Sequence, residues 1–104
     1  MEDKIKNKIS ELISSSKVFL FMKGNPEQPQ CGFSSQVIDI LKYYDIEFKS
    51  FDVLSDPEIR QGIKDYTNWP TIPQLYINKE FIGGCDIITK LAQTKELIKL
   101  VNNN

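Results

Sequence analysis

The stretch that decides the fold begins with a continuous apolar run, Val18-Phe19-Leu20-Phe21-Met22. A run of this length and composition is typical of a central strand that is covered on both faces. A turn-rich loop over residues 24–30 follows, and then a helix from Cys31 to about Tyr44 that leads into a second strand over residues 48–53. The order strand, helix, strand predicts a parallel pair of strands joined by a right-handed crossover.

The rest of the chain is predicted to supply one helix before this unit, then a helix, a β-hairpin and two closing helices after it. The first predicted helix covers residues 5–13, and the helix after the second strand runs from Ser55-Asp56-Pro57-Glu58 to near Tyr66. The hairpin strands cover residues 73–77 and 80–82. The two closing helices cover residues 86–91 and 94–101. The order α, β, α, β, α, β, β, α, α predicts an α/β protein with a thioredoxin fold, in which a four-stranded mixed sheet is sandwiched between helices. We expect a single domain over residues 1–104, with a frayed C-terminal tail over 102–104.

The composition excludes several classes of function. Hydrophobic residues make up 40% of the chain and the net charge is −1, which gives no electrostatic reason to expect binding to nucleic acid or to an anionic membrane. The chain has no histidine, which excludes Ser-His and Cys-His nucleophile pairs and His-ligated metal sites. Cys31 and Cys85 are the only cysteines. Two thiols are too few for a disulfide-rich secreted scaffold or for four thiolate ligands from one chain.

Residues 1–15 lack the apolar block of a signal peptide and are too acidic for a transit peptide, and no apolar stretch approaches the ~20 residues that span a bilayer. We therefore expect an intracellular protein in a reducing compartment, with the mitochondrial matrix and the cytosol both left open.

The most informative thiol is Cys31, which stands where a loop meets a helix. Unpaired N–H groups and the helix dipole favour an anion there, and Lys23 follows the first strand closely enough to reinforce the effect. We therefore expect a lowered pKa for Cys31, although a small half-buried hydrophobe is the ordinary role of a lone cysteine. Ser34 occupies the place where a dithiol motif has its second cysteine. A mixed disulfide at Cys31 would thus need another thiol, either an external one or Cys85, to resolve it.

Four separate blocks of the sequence resemble a known family. They are Lys23-Gly24, Cys31-Gly32-Phe33-Ser34, Trp69-Pro70-Thr71-Ile72-Pro73-Gln74-Leu75-Tyr76 and Gly83-Gly84-Cys85-Asp86. Together they resemble monothiol glutaredoxins of the CGFS class, and the likeness runs from the first helix to about Val101. The resemblance implies a thioredoxin fold, glutathione binding, and a [2Fe–2S] cluster held between two subunits.

The resemblance also implies roles for single residues. Cys31 matches the redox-active thiol that ligates the cluster, and Lys23 matches the residue that meets both this thiolate and the glycine carboxylate of glutathione. Arg60 matches a basic residue that reaches the same carboxylate, and Lys64 lies one turn further along the helix. The alternative interpretation is that Lys23, Arg60 and Lys64 are ordinary solvated surface charges without a ligand.

The remaining predicted contacts come from the two later blocks. Pro73 matches the cis-proline of the fold, so that the backbone of Ile72 pairs with the cysteinyl part of glutathione, and Thr71 lies beside this groove. The alternative is a trans proline that opens an edge strand. Cys85 and Asp86 match the segment that holds the γ-glutamyl end. Asp86 is also a candidate helix cap, and Cys85 a candidate for a disulfide or a glutathione adduct.

Two aromatic residues of these blocks have simpler interpretations. Trp69 is interpreted as a packing anchor, and Phe33 as part of an exposed contact between subunits.

The predicted function is glutathione-dependent binding and transfer of a [2Fe–2S] cluster in iron–sulfur protein biogenesis and iron and redox homeostasis. A cluster takes four cysteine-type ligands, so one thiolate from each of two chains and two glutathione thiolates complete the set. The partners implied by the family are glutathione, a second copy of the chain, BolA-type proteins and apo-proteins that receive clusters. The alternative is a monothiol thiol–disulfide oxidoreductase that removes glutathione from proteins, with at most weak activity, and a third is a redox-regulated adaptor without either chemistry.

Overall fold

A computed structural model describes residues 2–103. This part of the chain forms five α-helices and four strands. The bounds are α1 Asp3–Ser14, β1 Val18–Met22, α2 Gly32–Tyr43, β2 Lys49–Asp52, α3 Pro57–Thr67, β3 Gln74–Ile77, β4 Glu80–Gly83, α4 Cys85–Gln93 and α5 Glu96–Asn102. The predicted order of elements is therefore confirmed, and a short 3₁₀ turn, Val53–Ser55, follows β2 where the sequence had suggested one more strand residue.

The four strands form one mixed sheet in the order β2-β1-β3-β4. Strand β1 pairs in parallel with β2, so that Met22 lies opposite Asp52, and in antiparallel fashion with β3. Strands β3 and β4 form the predicted antiparallel hairpin. This is the thioredoxin fold expected from the order of the elements.

Strand β1 is buried along its whole length because helices cover both of its faces. Val18, Leu20 and Met22 point into one core, which is completed by apolar side chains of α2, α4 and α5. Phe19 and Phe21 point into a second core with side chains of α1 and α3. Helices α3 and α4 consequently lie on opposite faces of the sheet.

The structure defines the starts of α3, α4 and α5. Asp56, within the predicted start Ser55-Asp56-Pro57-Glu58, caps α3, because its carboxylate accepts from Glu58 N and Ile59 N while Pro57 occupies the first helical turn. Thr94 closes α4 instead of opening α5, for which Lys95 is the N-cap residue. The two remaining corrections concern Asp86, described with the site, and the C-terminus.

The C-terminal tail begins later than predicted. Asn102 is the last residue of α5, and Asn103 N donates to Lys99 O at 3.0 Å. Asn104 lies outside the described residues. In the described part of the chain no helix combines the length and the apolar character needed to cross a membrane.

Candidate functional site

Cys31 is the N-cap residue of α2, and its sulfur takes the place of a capping oxygen. Its backbone is extended (φ −153°, ψ 155°), and Sγ accepts a hydrogen bond from Ser34 N at 3.3 Å. Ser34 Oγ lies 3.2 Å from the same sulfur. The sulfur is therefore held against the end of the helix where unpaired N–H groups favour negative charge.

These contacts set the ionisation of the thiol. Partial burial by itself raises the pKa of Cys31. Other groups outweigh this effect and hold the pKa below its usual value: the Ser34 side chain and the N–H groups of Ser34 and Phe33 form hydrogen bonds to the sulfur, and the charge of Lys23 lies nearby. The lowered pKa predicted from the sequence is confirmed. A thiolate near neutral pH is both a nucleophile and a soft metal ligand.

Ser34 stands where a dithiol motif has its second cysteine, and it also has a structural role in the site. Its side chain is completely buried, and its hydroxyl accepts from Lys23 N at 3.1 Å while contacting Cys31 Sγ. The hydroxyl thus joins the end of β1 to the start of α2. The sequence showed only that no cysteine stands there.

A groove of about 580 Å³ opens beside this helix terminus. Its walls come from the end of β1, from α2, from α3, from the loop before β3 and from the start of α4. The lining residues are Lys23, Phe33, Arg60, Lys64, Trp69, Pro70, Thr71, Ile72, Pro73, Gly84, Cys85, Asp86 and Ile87.

The groove brings together residues that are distant in the sequence. All eight residues predicted to meet glutathione apart from Cys31 lie in its wall, from Lys23 to Asp86. Cys31 itself is not among the lining residues. Its charge nevertheless interacts with two groove residues: the charge of Lys23 lowers the pKa of Cys31, and the charge of Cys31 raises the pKa of Cys85.

Among the residues that the structure describes, no side chain forms an ion pair with the charged groups of the groove. Lys23, Arg60 and Lys64 are half-buried, whereas Asp86 is exposed. Across residues 2–103, the one ion pair within 4.0 Å joins Lys8 to Asp56, which lies outside the groove. The three cations and the carboxylate are therefore available to a ligand that carries both signs of charge.

Two buried donors in the groove wall reinforce this conclusion. Within the described part of the chain, Arg60 Nε and Trp69 Nε1 are buried without a hydrogen-bond partner. Buried N–H groups are nearly always paired, so a site that leaves two of them open suits a ligand rich in acceptors. Carboxylates and peptide carbonyls are such acceptors.

The loop before β3 forms one rim of the groove, and its backbone is shaped by the Ile72-Pro73 peptide bond, which is cis. Gln74 holds this rim from inside the protein. Its buried amide donates to Trp69 O at 3.1 Å and Thr71 O at 3.4 Å. Tyr76 OH in turn donates to Gln74 Oε1 at 3.1 Å.

Two aromatic residues of the wall have more than the roles expected for them. Trp69 packs on Phe81 with ring centroids 5.5 Å apart, as a packing anchor does, but it also lines the groove. Phe33 is 62% exposed and lines the groove next to Cys31. The role of Phe33 in a contact between subunits stays a prediction.

Helix α4 begins at the groove without the predicted aspartate cap. Gly84 is the N-cap residue, so Asp86 lies in the first turn, where its charge is favourable to the helix dipole. A side chain at Gly84 would meet Pro73 O at 3.2 Å, which explains why a glycine faces the cis-proline rim. The sequence did not indicate Pro70 and Ile87 as groove residues, because each only completes a wall built from other elements.

Cys85 is a free thiol, as is Cys31, so no disulfide joins them in this state. Burial raises the pKa of Cys85, and the charges of Asp86 and Cys31 add to this, against a hydrogen bond from Thr89. The two cysteines therefore have opposite chemical character, one ionised easily and the other protonated.

Comparison with known proteins agrees with this geometry. The sequence model of the glutaredoxin family matches residues 18–82. The chain is 52% identical over 101 residues to an uncharacterized monothiol glutaredoxin of Synechocystis sp., covering 97% of this chain and 94% of that protein. It is 51% identical over 96 residues to monothiol glutaredoxin-S11 of Oryza sativa, covering 92% of this chain but only 20% of that much longer protein.

A solved structure is similar over nearly the same range. The solution structure of a monomeric truncated mutant of Trypanosoma brucei 1-C-Grx1 superposes with a TM-score of 0.83 at 45% identity, over 92% of this chain and 87% of that one. The chain therefore belongs to the glutaredoxin family, among the monothiol glutaredoxins.

Proposed function

We propose that this protein binds glutathione in the groove and uses Cys31 to carry a [2Fe–2S] cluster, shared with a second chain, to recipient apo-proteins. The observation that carries the proposal is the pairing of one easily ionised thiol with a groove of unneutralised charges. The thiolate is a cluster ligand, and the groove supplies a second thiolate by holding glutathione beside it.

Glutathione has two carboxylates, one ammonium, two peptide bonds and a thiol. In the proposed arrangement Lys23, Arg60 and Lys64 bind its glycine carboxylate through charge-assisted hydrogen bonds. The three cations and the open Arg60 Nε donor support this assignment, because they have no competing carboxylate within the described residues.

The peptide part of glutathione would lie along the cis-proline rim. The backbone of Ile72 pairs with the cysteinyl group in the manner of an added strand, and Thr71 flanks it. Gln74 supports this role, because it occupies the carbonyls of Trp69 and Thr71 and so turns them away from a ligand.

The γ-glutamyl end would lie at the start of α4. Backbone N–H groups at this helix terminus, including that of Cys85, receive the α-carboxylate, and the Asp86 carboxylate receives the ammonium. Support comes from the position of Asp86, which lies in the groove and is not used as a cap.

The number of available ligands supports a cluster shared between two chains. Across residues 2–103, no three His, Cys, Asp or Glu side chains form a group that could hold a metal ion. A cluster needs four cysteine-type ligands, so two Cys31 thiolates and two glutathione thiolates meet the requirement. Ligands that are half non-protein dissociate readily, which suits transfer to apo-proteins.

The proposed partners follow from this arrangement. They are glutathione, a second copy of the chain when the cluster is bound, BolA-type proteins as alternative partners of the cluster-bound chain, and recipient apo-proteins. The proposal places the protein in a reducing compartment, the mitochondrial matrix or the cytosol, because a free Cys31 thiolate is required.

Anaerobic reconstitution tests this function. The chain is mixed with ferrous iron, sulfide and glutathione, and its visible absorption and its mass in solution are measured. The expected product is a coloured dimer that is absent when glutathione is omitted. Cys31→Ser abolishes it, whereas Cys85→Ser, the matched control at the other thiol, keeps it. A colourless monomer from the unaltered chain overturns the proposal.

The lowered pKa of Cys31 also favours a second candidate function, monothiol removal of glutathione from proteins. The Cys31 thiolate would attack the glutathione sulfur of a mixed disulfide, forming a Cys31–glutathione disulfide and releasing the protein thiolate. A second glutathione thiolate would then attack the glutathione sulfur bound to Cys31, releasing Cys31 as thiolate and forming glutathione disulfide. Turnover of a glutathionylated peptide, coupled to glutathione reductase, distinguishes this activity from cluster transfer. Sustained turnover supports the deglutathionylation activity. A protein that binds the cluster but shows no turnover excludes this activity.

A further inference from the structure

We propose that Asp52 is a positioning residue that sets the direction of the Lys23 side chain, an inference that rests on glutathione binding in the groove. Asp52 is the last residue of β2, half-buried, and lies opposite Met22 in the parallel pair. It is thus located where β1 ends and the groove begins, although it is not one of the groove residues.

One oxygen of Asp52 holds two segments of backbone. Oδ1 accepts from Gly24 N at 2.9 Å and from Leu54 N at 2.9 Å. Hydrogen bonds to an ionised carboxylate are stronger than those between neutral groups. The first contact connects positions that are 28 residues apart, so it fixes tertiary structure, while the second caps the 3₁₀ turn that follows β2.

Gly24 has a conformation that only glycine adopts easily. Its φ of 84° lies in the region that favours glycine, and a Cβ there would come within 2.5 Å of Gln28 O. The loop over residues 24–30 reverses direction tightly, and this reversal depends on the conformation of Gly24. The hydrogen bond from Gly24 N to Asp52 anchors the first residue of this loop.

Lys23 is consequently fixed from both sides. Its N–H donates to Ser34 Oγ at 3.1 Å and its carbonyl accepts from Gln30 N at 2.8 Å. With Gly24 N bound to Asp52, both peptide units around Lys23 are anchored. The Cα–Cβ bond of Lys23 therefore leaves the backbone in a single direction, towards the groove that it lines.

The simpler alternative is that Asp52 serves only as the cap of the 3₁₀ turn, through Leu54 N. Three substitutions separate the two roles. Asp52→Ala removes both contacts. Asp52→Ser keeps a short capping acceptor for Leu54 N, since serine is a good N-cap, but removes the longer carboxylate from Gly24. Asp52→Asn keeps an oxygen at the same position and is the conservative control.

Glutathione and its glycine monoethyl ester are the two probes, and binding is followed by NMR titration. The ester lacks the carboxylate charge that Lys23 is proposed to bind. We expect Asp52→Ala and Asp52→Ser to weaken glutathione binding roughly three- to tenfold, as the loss of a directed hydrogen bond does, while binding of the ester stays unchanged. Asp52→Asn restores most of the affinity, and adding Asp52→Ser to Lys23→Ala weakens binding no further.

A uniform loss on both probes, or an additive loss on top of Lys23→Ala, overturns the positioning role. Hydrogen exchange of the Gly24 amide in the ligand-free protein tests the contact on its own. Faster exchange in Asp52→Ser than in the unaltered chain supports it, and equal exchange overturns it. An unaltered chain that does not bind glutathione overturns the proposed function instead, which keeps the two failures distinct.

Discussion

The Ser34 hydroxyl lies 3.2 Å from the sulfur of Cys31 and completes a path from the end of β1 to the site thiol. While Cys31 is protonated, its S–H donates to Ser34 Oγ. Once it is ionised, the direction reverses and the hydroxyl donates to the sulfur. The same oxygen already accepts from Lys23 N, so the serine proton is free to turn towards the thiolate.

Replacing Ser34 should therefore change the chemistry of Cys31 without removing the thiol. In Ser34→Ala the thiolate loses one of the hydrogen bonds that lower its pKa, so the pKa rises towards its ordinary value. The expected result is alkylation by iodoacetamide that is several-fold slower at neutral pH. Ser35→Ala, at the next position of α2, is the matched control and should react like the unaltered chain. An unchanged rate in Ser34→Ala contradicts the role given to the hydroxyl.

The two thiols should respond to pH in different ranges. The pKa of Cys31 lies below that of an ordinary cysteine and the pKa of Cys85 lies above it. As pH rises, Cys31 ionises first, and between the two values only Cys31 is a thiolate. Alkylation followed by mass spectrometry of peptides should label Cys31 alone in this range and Cys85 only at higher pH. Labelling of both thiols in parallel would show that their environments do not differ as described.

Arg60 is the only arginine in the sequence and offers a direct test of the cationic wall. Arg60→Gln keeps a polar side chain but removes the charge, so binding of glutathione should weaken by about 1 kcal/mol, or roughly fivefold, for a half-exposed charged contact. The measurement is a calorimetric or NMR titration at low salt. Lys90→Gln removes a cation from the last turn of α4, away from the groove, and should bind normally. Equal weakening in both variants would indicate a general charge effect.

Gln74 should matter for stability, because its completely buried side-chain amide forms hydrogen bonds to the groove rim and to Tyr76. Gln74→Leu leaves two carbonyls and one hydroxyl without this partner, so the free energy of unfolding should fall by about 2 kcal/mol. Tyr76→Phe removes one neutral hydrogen bond and should cost about 1 kcal/mol. Urea unfolding measures both changes. If Gln74→Leu is as stable as the unaltered chain, the rim is held by something other than this amide.

The fold was largely predictable because its signals are local. Each signal lies within a few neighbouring residues: the apolar run over Val18–Met22, the loop-to-helix junction at Cys31, and the hairpin over residues 73–82. The contacts of Ser34, Gln74 and Asp52 were not predictable in the same way. Each joins segments that only the folded chain brings together, such as Asp52 with Gly24. The sequence likewise indicated Asp86 as a candidate cap, since it could not show that Gly84 is the N-cap residue of α4.

The position of Asp86 predicts that its substitution affects glutathione binding more than the stability of the fold. Because Asp86 lies in the first turn of α4 rather than at its cap, Asp86→Ala loses only a favourable charge near the helix terminus, about 0.5 kcal/mol. Its thermal unfolding should therefore shift very little. Glutathione binding should weaken several-fold, because the ammonium of the γ-glutamyl group loses its counter-charge. Asp56→Ala removes a true helix cap outside the groove and is the reciprocal control: it should lower the free energy of unfolding and leave glutathione binding intact. The assignment fails if Asp86→Ala behaves like Asp56→Ala in both measurements.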